Sequence, residues 1–491
     1  MLLDFVALKE RGADTGEEFQ MFMDGIFAPQ QPGNVKNSHL TDFWYSRRAA
    51  LGTLAVVFFV VQLISVFIPP FQSPDEPEHI ERAYLLSKGE VFLGSRNGIT
   101  GGDIDTGLLA YINSFRNIPF QYDQKINAST LRSSDQLAWS GKRQFSGLPD
   151  TAAYFPLPYL PQALALAAGA RLGLTVGETY FLARASSLLA TLALLWLASV
   201  WYPAPPIVVL LFVTPMTLFQ LASPCLDPVA FGLCALAAAL FMRGSEGRFS
   251  FDTPLQLILT GCTLLLAVSR TNLVPMILLP AALHAKSRSR CLLGMSAVSL
   301  CLAVGWISFV LVTVKGIAPV NVIGVGPVAK YYVSNPTLLL KLFIHTFDNA
   351  KVLKLYWYMF VGVLGHSDTP LDSGVYYVFG VLLLMLAGIS LKRRKESLLE
   401  FCTVCLFSCA ALSMLLVFLI GSLLWTPIPG DVIVGIQGRY FTPILILFGY
   451  SVFGRPLSAT ERKWGLFILA FASSFAVLSM VPKLLHRYWL V

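Results

Sequence analysis

Ionisable side chains are scarce in this chain and fall in a few places. Asp75, Glu76, His79 and Arg82 follow the first long apolar run. Asp227 follows Ser223-Pro224-Cys225-Leu226, and Arg270 separates two apolar runs. Asp368 closes a polar stretch that also holds His366, and Arg439, with Tyr440 beside it, opens a late apolar run. A carboxylate can take the proton of an acceptor hydroxyl. An arginine fork matches a phosphate, including one carried on a lipid. Together these residue types fit transfer of a group from a lipid phosphate to a hydroxyl. For a sugar, the transition state is oxocarbenium-like, as in glycoside hydrolysis. The departing phosphate needs a cation rather than a proton donor. The arginines supply one, or else a divalent magnesium or manganese ion held by Asp75, Glu76 or Asp227. Plainer readings exist for each residue. Asp227 precedes Pro228 and can simply start a helix. Arg270 and Arg439 can snorkel to headgroups. Asp368 can be a turn residue, His366 is a lone histidine, and Arg82 can pair with Glu78. What favours a shared site is that all the candidates fall at the outer ends of apolar runs.

These residues need elements to hold them. Ser73-Pro74-Asp75-Glu76 reads as a helix start, with Ser73 as N-cap, Pro74 in the first turn and Glu76 closing a capping box. Gly89 is a natural stop. Asp75, His79, Arg82 and Leu86 then share one helix face. The expectation is a short helix lying on the membrane surface.

Composition sets the wider frame. The 491 residues are 55% hydrophobic and only 13% charged, against about 25% charged in soluble domains. Many apolar runs approach the ~20 residues that cross a bilayer. The fold class expected is an all-α polytopic membrane protein with about 11–13 spans. The net charge of +8 comes largely from short basic clusters between runs, such as Arg47-Arg48, Lys286 to Arg290 and Lys392 to Lys395. That is positive-inside patterning, not a nucleic-acid footprint. It puts a tail, 1–48, in the cytoplasm and a membrane domain at 49–491. Residues 71–155 form a long first outside loop, and 315–374 a second outside segment. No cleavable signal peptide opens the chain. Parity then requires one of the next four apolar segments to re-enter or lie in the interface, and the short 156–172, preceded by Tyr154-Phe155 and rich in proline, is the one expected to do so. The eight cysteines sit in or beside apolar runs and read as small buried hydrophobes, Cys402 and Cys405 included.

Four pieces carry a resemblance: PDEPEHIERA in the first loop, YFPLPYLP, TPMTLFQLASPCLD and GIQGRYFTP. They resemble a family of bacterial multi-span membrane proteins of unknown function, similar in layout to the C-class (GT-C) glycosyltransferases that use lipid-phosphate sugars. The resemblance spreads over roughly 50–450. It implies transfer of a sugar from a polyprenyl-phosphate donor to a cell-surface glycan, such as O-antigen or another polysaccharide, at the periplasmic face of the inner membrane. It assigns Asp75 as base, with Glu76 supporting it or binding metal. Tyr154 matches the tyrosine and proline entry to the second span. His79, Arg82, Tyr154, Asp227, Arg270, Asp368, Arg439 and Tyr440 would contact substrate. The Ser223–Asp227 stretch lacks one expected serine, and Arg270 stands where a lysine is usual. Two rivals use similar chemistry. A transporter or flippase of lipid-linked glycans favours internal repeats and midplane sites, which the span-end charges here do not match. A glycan polymerase or ligase usually carries its large loop late in the chain.

Overall fold

Long apolar runs have one outlet in a bilayer: helices whose backbone groups pair internally. The computed structural model describes residues 47–246, 251–316, 324–391, 400–453 and 458–490. The expected tail up to Ser46 and the Lys392–Lys395 cluster lie outside them. The chain is mostly helical. Among the described residues six helices are long and apolar enough to cross a membrane.

The first run forms α1 (Arg47–Phe67). The loop after it is folded rather than loose. It holds α2 (Glu76–Ser87), a three-stranded antiparallel sheet of β1 (Gly94–Arg96), β2 (Ile99–Asp105) and β3 (Arg143–Gly147), and the helices α3 (Thr106–Phe115), α4 (Ala128–Asp135) and α5 (Pro149–Ala152). The Gly101-Gly102 pair explains itself here. A Cβ on Gly101 would lie 1.9 Å from the Ser146 carbonyl oxygen, and one on Gly102 would lie 2.7 Å from Leu85 of α2. Asp105 caps α3, accepting from the Gly107 amide at 2.7 Å.

Next comes α6 (Leu160–Arg171), entered by a 3-10 turn at Leu157–Tyr159. Its 12 residues span about 18 Å, short of the ~30 Å hydrocarbon core. Both flanks stay with the first loop and its neighbours. The Phe155 amide donates to Val268 O at 3.1 Å, and the Val176 amide to Leu137 O at 2.9 Å. This segment turns back, in agreement with the parity argument for 156–172.

The bundle follows: α7 (Val176–Trp201), α8 (Pro206–Phe212) and α9 (Pro215–Leu221) broken at Pro215, α10 (Asp227–Glu246), α11 (Thr253–Ser269), a 3-10 stretch Thr271–Leu278 running into α12 (Leu279–Ser287), and α13 (Arg290–Thr313). The second polar segment folds as α14 (Val325–Ser334), α15 (Pro336–Asp348), α16 (Ala350–Gly362) and a hairpin of β4 (Val363–Leu364) with β5 (Thr369–Pro370). Then come α17 (Ser373–Leu391), α18 (Phe401–Leu424), α19 (Phe441–Phe453) and α20 (Ala459–Tyr488).

Side-chain ties define two poles. At one, Tyr202 donates to Glu246 at 2.9 Å, Arg243 covers Trp201, Lys286 covers Phe401 and Thr403 donates to Ser451 O. At the other, the Ile126 amide donates to Tyr488 O, and the Trp489 indole to Phe67 O. Among the described residues, eleven helical segments run between the poles: α1, α7, α8–α9, α10, α11, the 3-10 stretch with α12, α13, α17, α18, α19 and α20. At the centre is α10, whose span is 89% buried, against 17% for α13. Its small residues Gly232, Ala235 and Ala237–Ala239 let neighbours approach closely.

The first-loop helix differs from expectation in two ways. It is packed into the fold, with eight of its 12 residues buried, instead of lying free on a surface. It also starts at Glu76, after Asp75 in the left-handed region at φ 60°. The reason is tertiary. Ser73 gives its hydroxyl to Gln220 at the end of α9 (3.2 Å), so it does not cap the helix. Glu76 still reaches back to the Ser73 amide at 2.9 Å. The helix ends near Gly89, as the sequence predicts, with Gly89 at φ 83°. Cysteine burial also differs in part: Cys291 and Cys301 are exposed on α13, and Cys402 and Cys405 of α18 are only half-buried.

Candidate functional site

The site lies at the pole that carries the first loop, where five segments meet. The left-handed turn before α2 aims Asp75 outward, its side chain 59% exposed. Arg439, 1% exposed, donates to Asp75 Oδ2 at 2.5 Å through Nη2. Its Nη1 donates to Asp227 Oδ2 at 3.2 Å and to Pro74 O at 3.1 Å. Asp227, at the start of α10, takes Arg270 on its other oxygen. The chain Asp75–Arg439–Asp227–Arg270 is therefore continuous. Two carboxylates balance two guanidinium groups, which offsets the cost of burying them.

Aromatic groups wall this chain. Arg270 lies over the Tyr154 ring at 5.3 Å, and Arg439 over Tyr440 at 5.5 Å. Tyr154 stacks 15° from parallel with His79 at 6.3 Å. The Tyr159 hydroxyl sits 2.6 Å from His79 Nδ1. Burial first, then the nearby Arg270, pushes His79 down to about 3, so its ring is neutral at physiological pH. Burial alone would raise the Asp75 carboxyl. Arg439 outweighs it and holds Asp75 below its ordinary value.

The sequence motifs have local reasons. In GIQGRYF, a Cβ on Gly438 would lie 2.1 Å from the backbone of Met359 and Phe360, so α16 lies directly against the turn that presents Arg439. Gly435 holds φ 78° against Trp425. The proline and cysteine of Ser223-Pro224-Cys225 bring α9 beside Pro74, with Gln162 of α6 donating to their carbonyls at 3.2 Å.

Not every expected residue joins the cluster. Glu76 turns the other way. It is fully buried and binds Tyr180, Arg184 at 3.4 Å and the Ser73 amide. Its neighbours make it an internal anchor between α2 and α7. Arg82 does not pair with Glu78. It donates to Glu90 O at 3.0 Å and Val91 O at 2.7 Å, holding the chain after Gly89. Asp368 belongs to a separate tie. It accepts from the Phe120 amide at 2.8 Å and from Arg487 of α20 at 3.1 Å. The three carboxylates considered for a divalent ion also diverge. Both Asp227 oxygens are taken by arginines and both Glu76 oxygens by other donors. Among the described residues no three His, Cys, Asp or Glu side chains form a metal set.

Sequence reasoning passed over Tyr159, Arg184 and Arg487. Arg184 had a signal, being an arginine inside an apolar run. Tyr159 stood within YFPLPYLP, yet nothing local shows that its hydroxyl meets His79.

A multi-pass helical membrane protein with a paired-ion cluster at the mouth of its bundle is what the fold and site define. The chain belongs to the family described as "Predicted membrane protein (DUF2142)", which matches residues 58–448. It is also similar to the crystal structure of ArnT from Cupriavidus metallidurans bound to undecaprenyl phosphate, with 13% identity and a TM-score of 0.35 over 89% of this chain and 74% of that one. No curated protein matches the sequence.

Proposed function

We propose that this protein is a membrane glycosyltransferase. It moves a sugar from a polyprenyl-phosphate donor to a hydroxyl of a cell-surface glycan, at the periplasmic face of the inner membrane. The observation that carries the reading is the contact of an outward-facing carboxylate, Asp75, with the buried Arg439. Residues 364 positions apart are joined at the mouth of an otherwise apolar bundle. Arg243 and Lys286 at the opposite pole fit a cytoplasmic side there.

In this reading the acceptor oxygen gives its proton to Asp75 as it bonds to the sugar carbon. The bond from that carbon to the phosphate oxygen breaks, and the lipid phosphate leaves with both electrons toward Arg439 and Arg270. Arg439 Nε is buried without a partner, which leaves it a donor to offer. A donor phosphate competes with Asp75 for Arg439. Losing that cation raises the basicity of Asp75 when the base is needed. His79 and Tyr154 hold the wall against which the donor seats.

The test uses Asp75→Asn, because asparagine tolerates the left-handed backbone at this position. Membranes holding the variant, supplied with a labelled polyprenyl-phosphate sugar and envelope glycan, are expected to lose transfer by about 10²–10⁴-fold, the usual share of a general base. Transfer at the parental rate by a correctly inserted variant sinks the assignment.

A further inference from the structure

Residues 116–124, between α3 and α4, take no part in the chemistry above. A cavity of about 370 Å³ opens there, lined by Arg116, Asn117, Pro119, Gln121 and Gln124. The amide side chains of this stretch are exposed, and none hydrogen-bonds to another described residue. Within the same stretch Phe120 sits at φ 61° with its ring 64% exposed. Tyr122 is 54% exposed. A left-handed backbone is strained for a bulky residue, and glycine would avoid that strain. An exposed ring recovers none of it by burial.

The strained turn is nevertheless held firmly. The Phe120 amide donates to Asp368, and Arg487 binds both Asp368 and the Ile118 carbonyl, at 3.1 and 2.7 Å. Tyr122 gives its hydroxyl to the Asp368 carbonyl, and Arg487 lies 5.0 Å from its ring. Two distant parts of the chain, around Asp368 and Arg487, thus fix one aromatic face toward solvent. Phe120 packs edge-on against His366 at 6.0 Å, on the same polar segment as Asp368.

An aromatic plate beside unpaired amides and a guanidinium suits a ligand with an apolar C–H face and a rim of hydroxyls. A purely lipid-facing anchor would have apolar neighbours, and these are Asn, Gln, Arg and Asp123. We propose that residues 116–124 form a carbohydrate subsite that seats the acceptor glycan, with Phe120 as its stacking face and Arg116, Asn117, Gln121 and Gln124 as hydroxyl partners. Only the word acceptor rests on the transferase reading.

The experiment is saturation-transfer NMR on the full chain in nanodiscs, with maltotriose, chitotriose and mannotriose as probes. At least one trisaccharide should bind the parent and Asp75→Asn alike. Phe120→Gly relieves the backbone and removes the ring. It should unfold at the same or a higher temperature than the parent, yet lose affinity at least about tenfold. Phe120→Tyr should retain binding, and Gln121→Ala with Gln124→Ala should weaken it. No binding of any probe by the parent overturns the proposal, as does binding unchanged by Phe120→Gly. Sugar binding without any transfer would leave this subsite standing and remove the transferase reading. Transfer lost in Asp75→Asn but with unchanged acceptor KM in Phe120→Gly would do the reverse.

Discussion

Asp75 and Glu76 are neighbours in the chain and end in opposite environments. The left-handed turn at Asp75 sends its carboxylate outward to Arg439, while Glu76 enters the protein to meet Tyr180 and Arg184. Two adjacent acids therefore divide into one exposed and one internal. One turn further on, Glu81 is a third case. It is buried, and its Oε2 accepts from Ser146 at 2.7 Å. Burial pushes its carboxyl up to about 7. A raised value means that the fold prefers the protonated form. Its stabilising contribution is complete below the unfolded value of 4.5 and is lost as pH climbs to about 7. Glu81→Gln mimics the protonated form. Its thermal midpoint should match the parent's in acid and exceed it above pH 7, where the parent must bury a charge. Parallel midpoints across that range would show that Glu81 does not couple to folding.

At the scale of elements, the site depends on how closely helices approach. α16 lies against Gly438, and that contact sets the direction of Arg439. A methyl group at position 438 has backbone atoms 2.1 Å away, so the turn must shift. Gly438→Ala is expected to lower stability by about 1–3 kcal/mol, the usual cost of overpacking. It should also move the Arg439 fork off Asp75, and transfer should fall further than the stability loss explains. The measurement is transfer rate against thermal midpoint, with Gly380→Ala as a control, since a Cβ there meets only Trp357 at an ordinary 3.5 Å. A Gly438→Ala variant as active as that control would mean Arg439 tolerates displacement. The GIQGRYF signature was legible in the chain as something unusual. Its mechanism was not, because the atoms that exclude a side chain come from Met359 and Phe360, some 80 residues away.

At the scale of the whole molecule, the eleven helical segments among the described residues return α20 to the pole of the first loop. Opposite it stand Arg243, Lys286 and the start of α13. This arrangement predicts a labelling pattern. On spheroplasts, an impermeant thiol reagent should reach Asp123→Cys and Leu490→Cys. The exposed Cys291, kept as the sole natural cysteine, should react only after permeabilisation. Labelling of Cys291 from outside would invert the topology and place the paired-ion cluster on the cytoplasmic side.

The amino-acid sequence by itself determined the class of this protein. Apolar runs and basic clusters are local quantities, and a bilayer reads them locally, so a helical multi-pass chain, a long folded first loop and a turn-back near 156–172 all follow from it. It also determined which residues were costly enough at a membrane boundary to need a reason. Tertiary structure alone decided their partners. Asp75 meets Arg439 across 364 positions, Asp227 meets Arg270 across 43, and Ser73 abandons its own helix for Gln220 across 147. Helix periodicity states which face a side chain occupies and is silent on what stands opposite. A buried charge is tolerated only beside its counterion, and that pairing is settled by how the helices pack.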